Sequence, residues 1–162
     1  MGDFAVGKLI DQVTFDPVVV AEFDQFVADV DGHPEAADAG FSAPPAEEGA
    51  VADLTGLIVP GTPSELLLCL MQWHNGGFYI YDYQIHSAEQ IIADARAGVV
   101  QEGCLVIGHD LDEELLILHT GDGAVQTGAE LSGEDLSQYL GRFRFELCGN
   151  RIEWAEPWVQ KA

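Results

Sequence analysis

Apolar residues recur at helical spacing in four stretches and crowd into four shorter runs, with Gly, Pro, Asn and Asp marking the breaks. The densest stretch is Thr62 to Gly77, TPSELLLCLMQWHNGG. Thr62 suits an N-cap, Pro63 the first helical position, and Glu65 completes a T-x-x-E capping box. Leu66, Leu67, Leu70 and one or both of Met71 and Trp73 then form a wide apolar face that must be buried. Trp73 continues that stripe and is assigned to the core. Asn75, Gly76 and Gly77 are read as backbone-shape residues that end the helix, because Gly reaches the left-handed conformation closing a last turn. Phe78 to Tyr83, rich in aromatics, follows as a strand.

Three further helices are predicted. Asp16-Pro17 opens the first, with Val19, Phe23, Phe26, Val27 and Val30 on one face and a stop near Asp31-Gly32. Ser87 and Gln90 make a second capping box, ahead of Ile91, Ile92 and Ala95. Ser132, with Asp135 three residues on, caps the last helix, which bears Leu136, Tyr139, Leu140 and Phe143. Cys104 to Gly108 and Glu114 to Thr120 read as buried strands. Thr120-Gly121-Asp122-Gly123 is a hairpin turn that returns Ala124 to Thr127 antiparallel. The tail from Phe145 to Trp158 alternates aromatic and charged residues, as an edge strand or a segment crossing the core would. Helices and strands do not alternate strictly, and the clearest strand connection is a hairpin. An α+β fold follows, a single domain whose mainly antiparallel sheet packs against helices.

Within that domain, residues 1–34 are expected to be an N-terminal extension with a helix. Residues 35–52 read as an Ala/Pro/Glu-rich loop, mobile at least in part, and 53–162 as the main body. A chain of 162 residues can bury a proper core, and its apolar content argues against wholesale disorder. The formal charge of -22 is the most unusual bulk property. It excludes a general nucleic-acid-binding surface and disfavours an anionic membrane. It favours a basic partner, which such a field would steer in, although solubility alone is the competing reading. Residues 131–162 hold four of the six bases, and Arg142, Arg144 and Arg151 are expected to pair internally with acids.

The sequence offers little catalytic chemistry. Gly2 to Leu9 nearly spells a P-loop but lacks the final Ser or Thr and a preceding strand. There is no GxSxG, HExxH, CxxC pair or dinucleotide-binding fingerprint. Cys69, Cys104 and Cys148 sit in apolar runs and read as buried, inert thiols. His33, His74, His86, His109 and His119 are scattered, with no pair at ligand spacing, and the cluster His109, Asp110, Asp112 reads as a solvated loop rather than a metal site. No catalytic residue, cofactor or metal is therefore expected. Met1 to Ile10 has no signal-peptide core and no run approaches a membrane span, so a cytoplasmic location is expected.

The order of signals from Thr62 to Phe143 resembles the SMI1/KNR4 family, also called the SUKH superfamily. The resemblance rests on Trp73-His74-Asn75-Gly76-Gly77, the aromatic strand, the Ser87 to Ile91 helix start and the doublet Leu105 to Asp110 with Glu114 to Leu118. Gly121 to Val125 and the closing helix Glu134 to Phe143 complete it. Gly128 to Ser132 lacks the family's short Ser-Phe signature, and the first fifty residues have no counterpart. The resemblance implies an α+β fold and, as for many bacterial members, an immunity protein that binds and neutralises a toxin; fungal members are implicated in regulating cell-wall synthesis.

Two functions follow as expectations. The first is a non-catalytic protein-binding module whose partner surface is Asp110, Leu111, Asp112, Glu113 and Glu114, an apolar contact within a negative rim, facing a basic toxin domain. The second is a small-ligand binder or enzyme with a pocket around the aromatic strand and His109.

Overall fold

The computed structural model describes residues 17–32, 40 and 43–148. The expectations for residues 1–16, including the Asp16 cap, and for Arg151 and the tail beyond 148 lie outside the described residues, as does most of 33–42.

Helix α1, Pro17–Asp31, buries Val19, Phe23, Phe26, Val27 and Val30, the face that the spacing predicts. Helix α2, Glu48–Thr55, falls partly inside the stretch expected to be a loop, and it forms because Val51 and Leu54, one turn apart, both reach the core. Helix α3, Glu65–Trp73, is buried along its whole length. Its start differs from the predicted box. The Glu65 carboxylate accepts the Gly61 N–H at 2.9 Å, and the Thr62 hydroxyl accepts the Ser64 N–H at 3.2 Å. Three successive i→i+3 bonds, Glu65 N–H to Thr62 O, Leu66 N–H to Pro63 O and Leu67 N–H to Ser64 O, lead into the helix proper.

The expected aromatic strand is in fact a hairpin. Strand β1, Tyr79–Ile80, turns at Tyr81 and Asp82 into β2, Tyr83–Ile85. Tyr81 has φ +56°, a conformation that costs a non-glycine residue about 1 kcal/mol. Its ring offsets this by packing edge-on against Tyr139 and Phe143, at 5.7 and 5.2 Å between centroids.

Helix α4, Ala88–Arg96, is capped by Ser87, whose hydroxyl accepts the Gln90 N–H. Strands β3 (Cys104–His109), β4 (Leu115–His119) and β5 (Ala124–Thr127) follow as expected. A sixth strand, β6, Glu130–Asp135, was not expected: it is polar and largely exposed. Helix α5 therefore begins at Leu136 and runs to Cys148. Its cap is Asp135, not Ser132, and Asp135 and Gln138 exchange side-chain and backbone bonds at 2.8 and 3.0 Å. Phe145 is helical rather than part of an edge strand.

The six strands form one antiparallel sheet in chain order, β1 to β6. Leu105, Ile107, Leu116, Leu118 and Val125 face the main core with the helices, while Cys104, Val106 and Ile117 cluster on the opposite face. Trp73 joins α1 to α3, its ring edge-on to Phe23 and Phe26 at 5.8 and 6.0 Å. The first helix thus shares the main core. The described residues make one α+β domain, with five helices and a mainly antiparallel sheet packed against them.

Candidate functional site

The loop from Asp110 to Glu114 joins β3 to β4, as expected. Its five side chains do not share one role. The Asp110 carboxylate turns back on the loop and accepts the N–H groups of Asp112 and Glu114, at 2.9 and 2.8 Å. The Asp110 and Glu114 backbones close the turn with a 3.0 Å bond, and Glu113 takes φ +62°. Asp110 is thus the loop's internal tie, by the usual chemistry of Asp in turns. Leu111, 47% exposed, and the exposed Asp112 and Glu113 are left facing solvent.

Glu114 serves both sides, since its carboxylate accepts the Tyr83 hydroxyl at 2.6 Å. Burial, and then the bond to Glu114, push the Tyr83 hydroxyl above the ordinary tyrosine range, so it remains a donor. The charges of Asp110 and Asp82 act on Tyr83 in the same sense, which places the β1–β2 turn beside the acidic loop. Asp82 is exposed, so the carboxylate surface spans two turns. Sequence reasoning missed Asp82 and Tyr83 as part of this surface, because a continuous strand over 78–83 would not have put a turn there.

The aromatic face is built differently. The Arg142 guanidinium lies 4.7 Å from the Tyr81 ring centroid and 5.4 Å from that of Tyr139. It is also held by both oxygens of Glu134, with a shortest contact of 2.8 Å. Arg144 pairs with Asp29 at 3.0 Å. The internal pairing expected for the C-terminal arginines therefore holds for these two. Tyr79 accepts a bond from the Gln84 amide at 3.1 Å. Tyr79, Tyr81 and Tyr83 are thus engaged within the fold.

His109 meets His86 across the β2–β3 pair, Nδ1 to Nε2, at 2.7 Å. Burial, and then the neighbouring His109, hold His86 below the ordinary histidine range, while Asp94 at 4.0 Å from its Nδ1 opposes them. At 2.7 Å the two facing nitrogens share a hydrogen, which leaves no room for an ion between them. Among the described residues no group of three or more His, Cys, Asp or Glu converges as a metal site.

At the joint, Trp73 is in the core as expected, and the helix ends on an extended His74, whose Nδ1–H donates to the Ala43 carbonyl at 2.7 Å. Gly76 and Gly77 have φ +75° and +80°. A Cβ on Gly76 would lie 2.5 Å from the His86 and Ser87 backbone, so only glycine fits this close approach. Asn75 does more than shape the backbone. Its side chain accepts the Ala88 N–H and donates to Glu89, both at 2.8 Å, so it caps the start of α4.

Among the described residues no helix is long and apolar enough to cross a membrane. Compared with known proteins, the chain matches no family model, and no curated sequence is significantly similar to it.

Proposed function

We propose that this chain is a non-catalytic protein-binding module of immunity type, which neutralises a basic toxin domain by direct binding through the 110–114 loop. The observation that carries the reading is the conformation of that loop. Asp110 ties it from within and Tyr83 holds it from β2, and the pinned loop exposes Leu111 next to Asp112 and Glu113. An exposed apolar side chain in a negative rim, on a preordered loop, loses little entropy on binding. The formal charge of -22 adds long-range attraction for a basic partner. The resemblance of Thr62 to Phe143 to the SUKH superfamily supports the same reading, and a cytoplasmic location belongs with it.

The second reading, a ligand pocket around the aromatic strand and His109, has less support. Tyr83 and His109 are bonded to Glu114 and His86, and Tyr81 lies under Arg142. Co-expression with a candidate basic toxin domain is the test. Growth should be restored by the wild-type chain and not by a folded D112K/E113K variant. Equal rescue by both chains would remove the loop from the interface.

A further inference from the structure

Cys104 and His119 face each other as a register pair between β3 and β4, on the side of the sheet away from the main core. The Cys104 Sγ lies 3.4 Å from the His119 Nδ1. On the other side of the ring, the His119 Nε2 lies 2.7 Å from the Gln126 Oε1. The Gln126 amide nitrogen donates to the Gly128 carbonyl at 2.8 Å, and this fixes which end of the amide faces the histidine. An amide oxygen can only accept, so Nε2 carries the hydrogen and the neutral ring turns the lone pair of Nδ1 toward the thiol. The chain of bonds thus runs Cys104 S–H to His119 to Gln126 to Gly128. A nucleophile, a base and a group that orients the base are all present.

Two further features bear on reactivity. The Gln101 amide nitrogen lies 3.7 Å from the same sulfur and donates to it, which suits a thiolate as well as a thiol. Cys104 is 6% exposed, but with Gln101 and Glu102 it lines a cavity of about 340 Å³, walled on its apolar side by Leu57, Val100 and Leu105. Cys69 has none of this: it is fully buried, and burial drives its thiol far above the ordinary range.

The geometry points to Cys104 as a histidine-activated thiol that is modified by small, uncharged or cationic disulfides entering that cavity. The Cys104 proton passes to the His119 Nδ1 and Sγ attacks one sulfur of the disulfide. The S–S bond breaks, and the departing thiolate takes the proton back from the imidazolium. Cys104 ends oxidised in a mixed disulfide, and one small thiol is released. Glu102 at the cavity and the strongly negative chain select against anionic disulfides. The site uses residues other than the acidic loop, so it stands or falls separately from the binding function.

The test is reaction of the full chain with cystamine, followed by peptide mass spectrometry across a pH series, with oxidised glutathione in parallel. The expected result is a cysteamine adduct on Cys104, none on Cys69, and slower reaction with the anionic glutathione disulfide. In His119→Gln the rate near neutral pH should fall about tenfold or more, because the thiol loses the base that takes its proton. Gln126→Ala keeps the thiol–imidazole contact and should give a smaller loss of rate, which covers the case in which His119→Gln does not fold. An unmodified Cys104 in the folded wild type, or a rate unchanged in the folded variants, would overturn the assignment.

Discussion

Tyr83, the first residue of β2, donates its hydroxyl hydrogen to the Glu114 carboxylate at 2.6 Å and so ties the β1–β2 hairpin to the β3–β4 loop. The two residues are far apart in the chain, and the bond couples the aromatic region to the acidic surface. Tyr83→Phe keeps the buried ring and removes only this bond. It should cost about 1 kcal/mol, since the freed carboxylate can be hydrated. Denaturant melts measure it, and an unchanged midpoint would mean that the bond contributes nothing.

Asp110 is expected to matter for order more than for charge. Asp110→Ala removes both side-chain bonds to the loop amides, so hydrogen exchange at Asp112 and Glu114 should speed by roughly tenfold while the sheet stays protected. Unchanged exchange at those two amides would show that the loop is held by its backbone alone.

The glycine corner makes an ordered pair of predictions. Gly77 has a positive φ but open space around its Cβ position, so Gly77→Val should cost at least about 1 kcal/mol from backbone strain. Gly76→Ala adds a collision with the His86 and Ser87 backbone and should cost about 3 kcal/mol. Thermal melts of the two variants decide the order, and a milder effect at Gly76 would contradict this account of the joint.

His86 supplies a pH dependence. Its pKa is lowered in the folded state by burial and by His109, so the unfolded chain binds more protons as the pH drops below the ordinary histidine value of about 6.5. The contribution of neutral His86 is complete above that pH and is lost as the pH falls through it toward the lower folded value. Stability measured from neutral to mildly acidic pH should therefore fall less steeply in His86→Gln than in the wild type. Equal slopes would mean that His86 does not titrate with folding.

Most elements were legible because burial leaves a periodic trace. Val19 to Val30 and Leu66 to Trp73 carry that trace, and both helices stand where it places them. Strand β6 carries none. It is an exposed edge strand, and pairing with β5 rather than an apolar face makes it a strand. The split of the aromatic strand depends on one residue, Tyr81, taking a positive φ that composition does not reveal. The acidic loop was readable as a position, but not the inward turn of Asp110. The pairs His86–His109 and Cys104–His119 depend on strand register, which scattered histidines cannot show in advance.

The central claim, recognition of a basic partner through the pinned acidic loop, is tested most directly by association kinetics. Stopped-flow rates would be measured at low and high ionic strength between a candidate basic toxin domain and either the wild type or D112K/E113K. The account predicts fast, salt-sensitive association for the wild type. It also predicts a rate slower by about tenfold or more at low salt for the variant, with the thermal midpoint little changed. An unchanged association rate in the folded variant would contradict it and return the acidity of this chain to a matter of solubility.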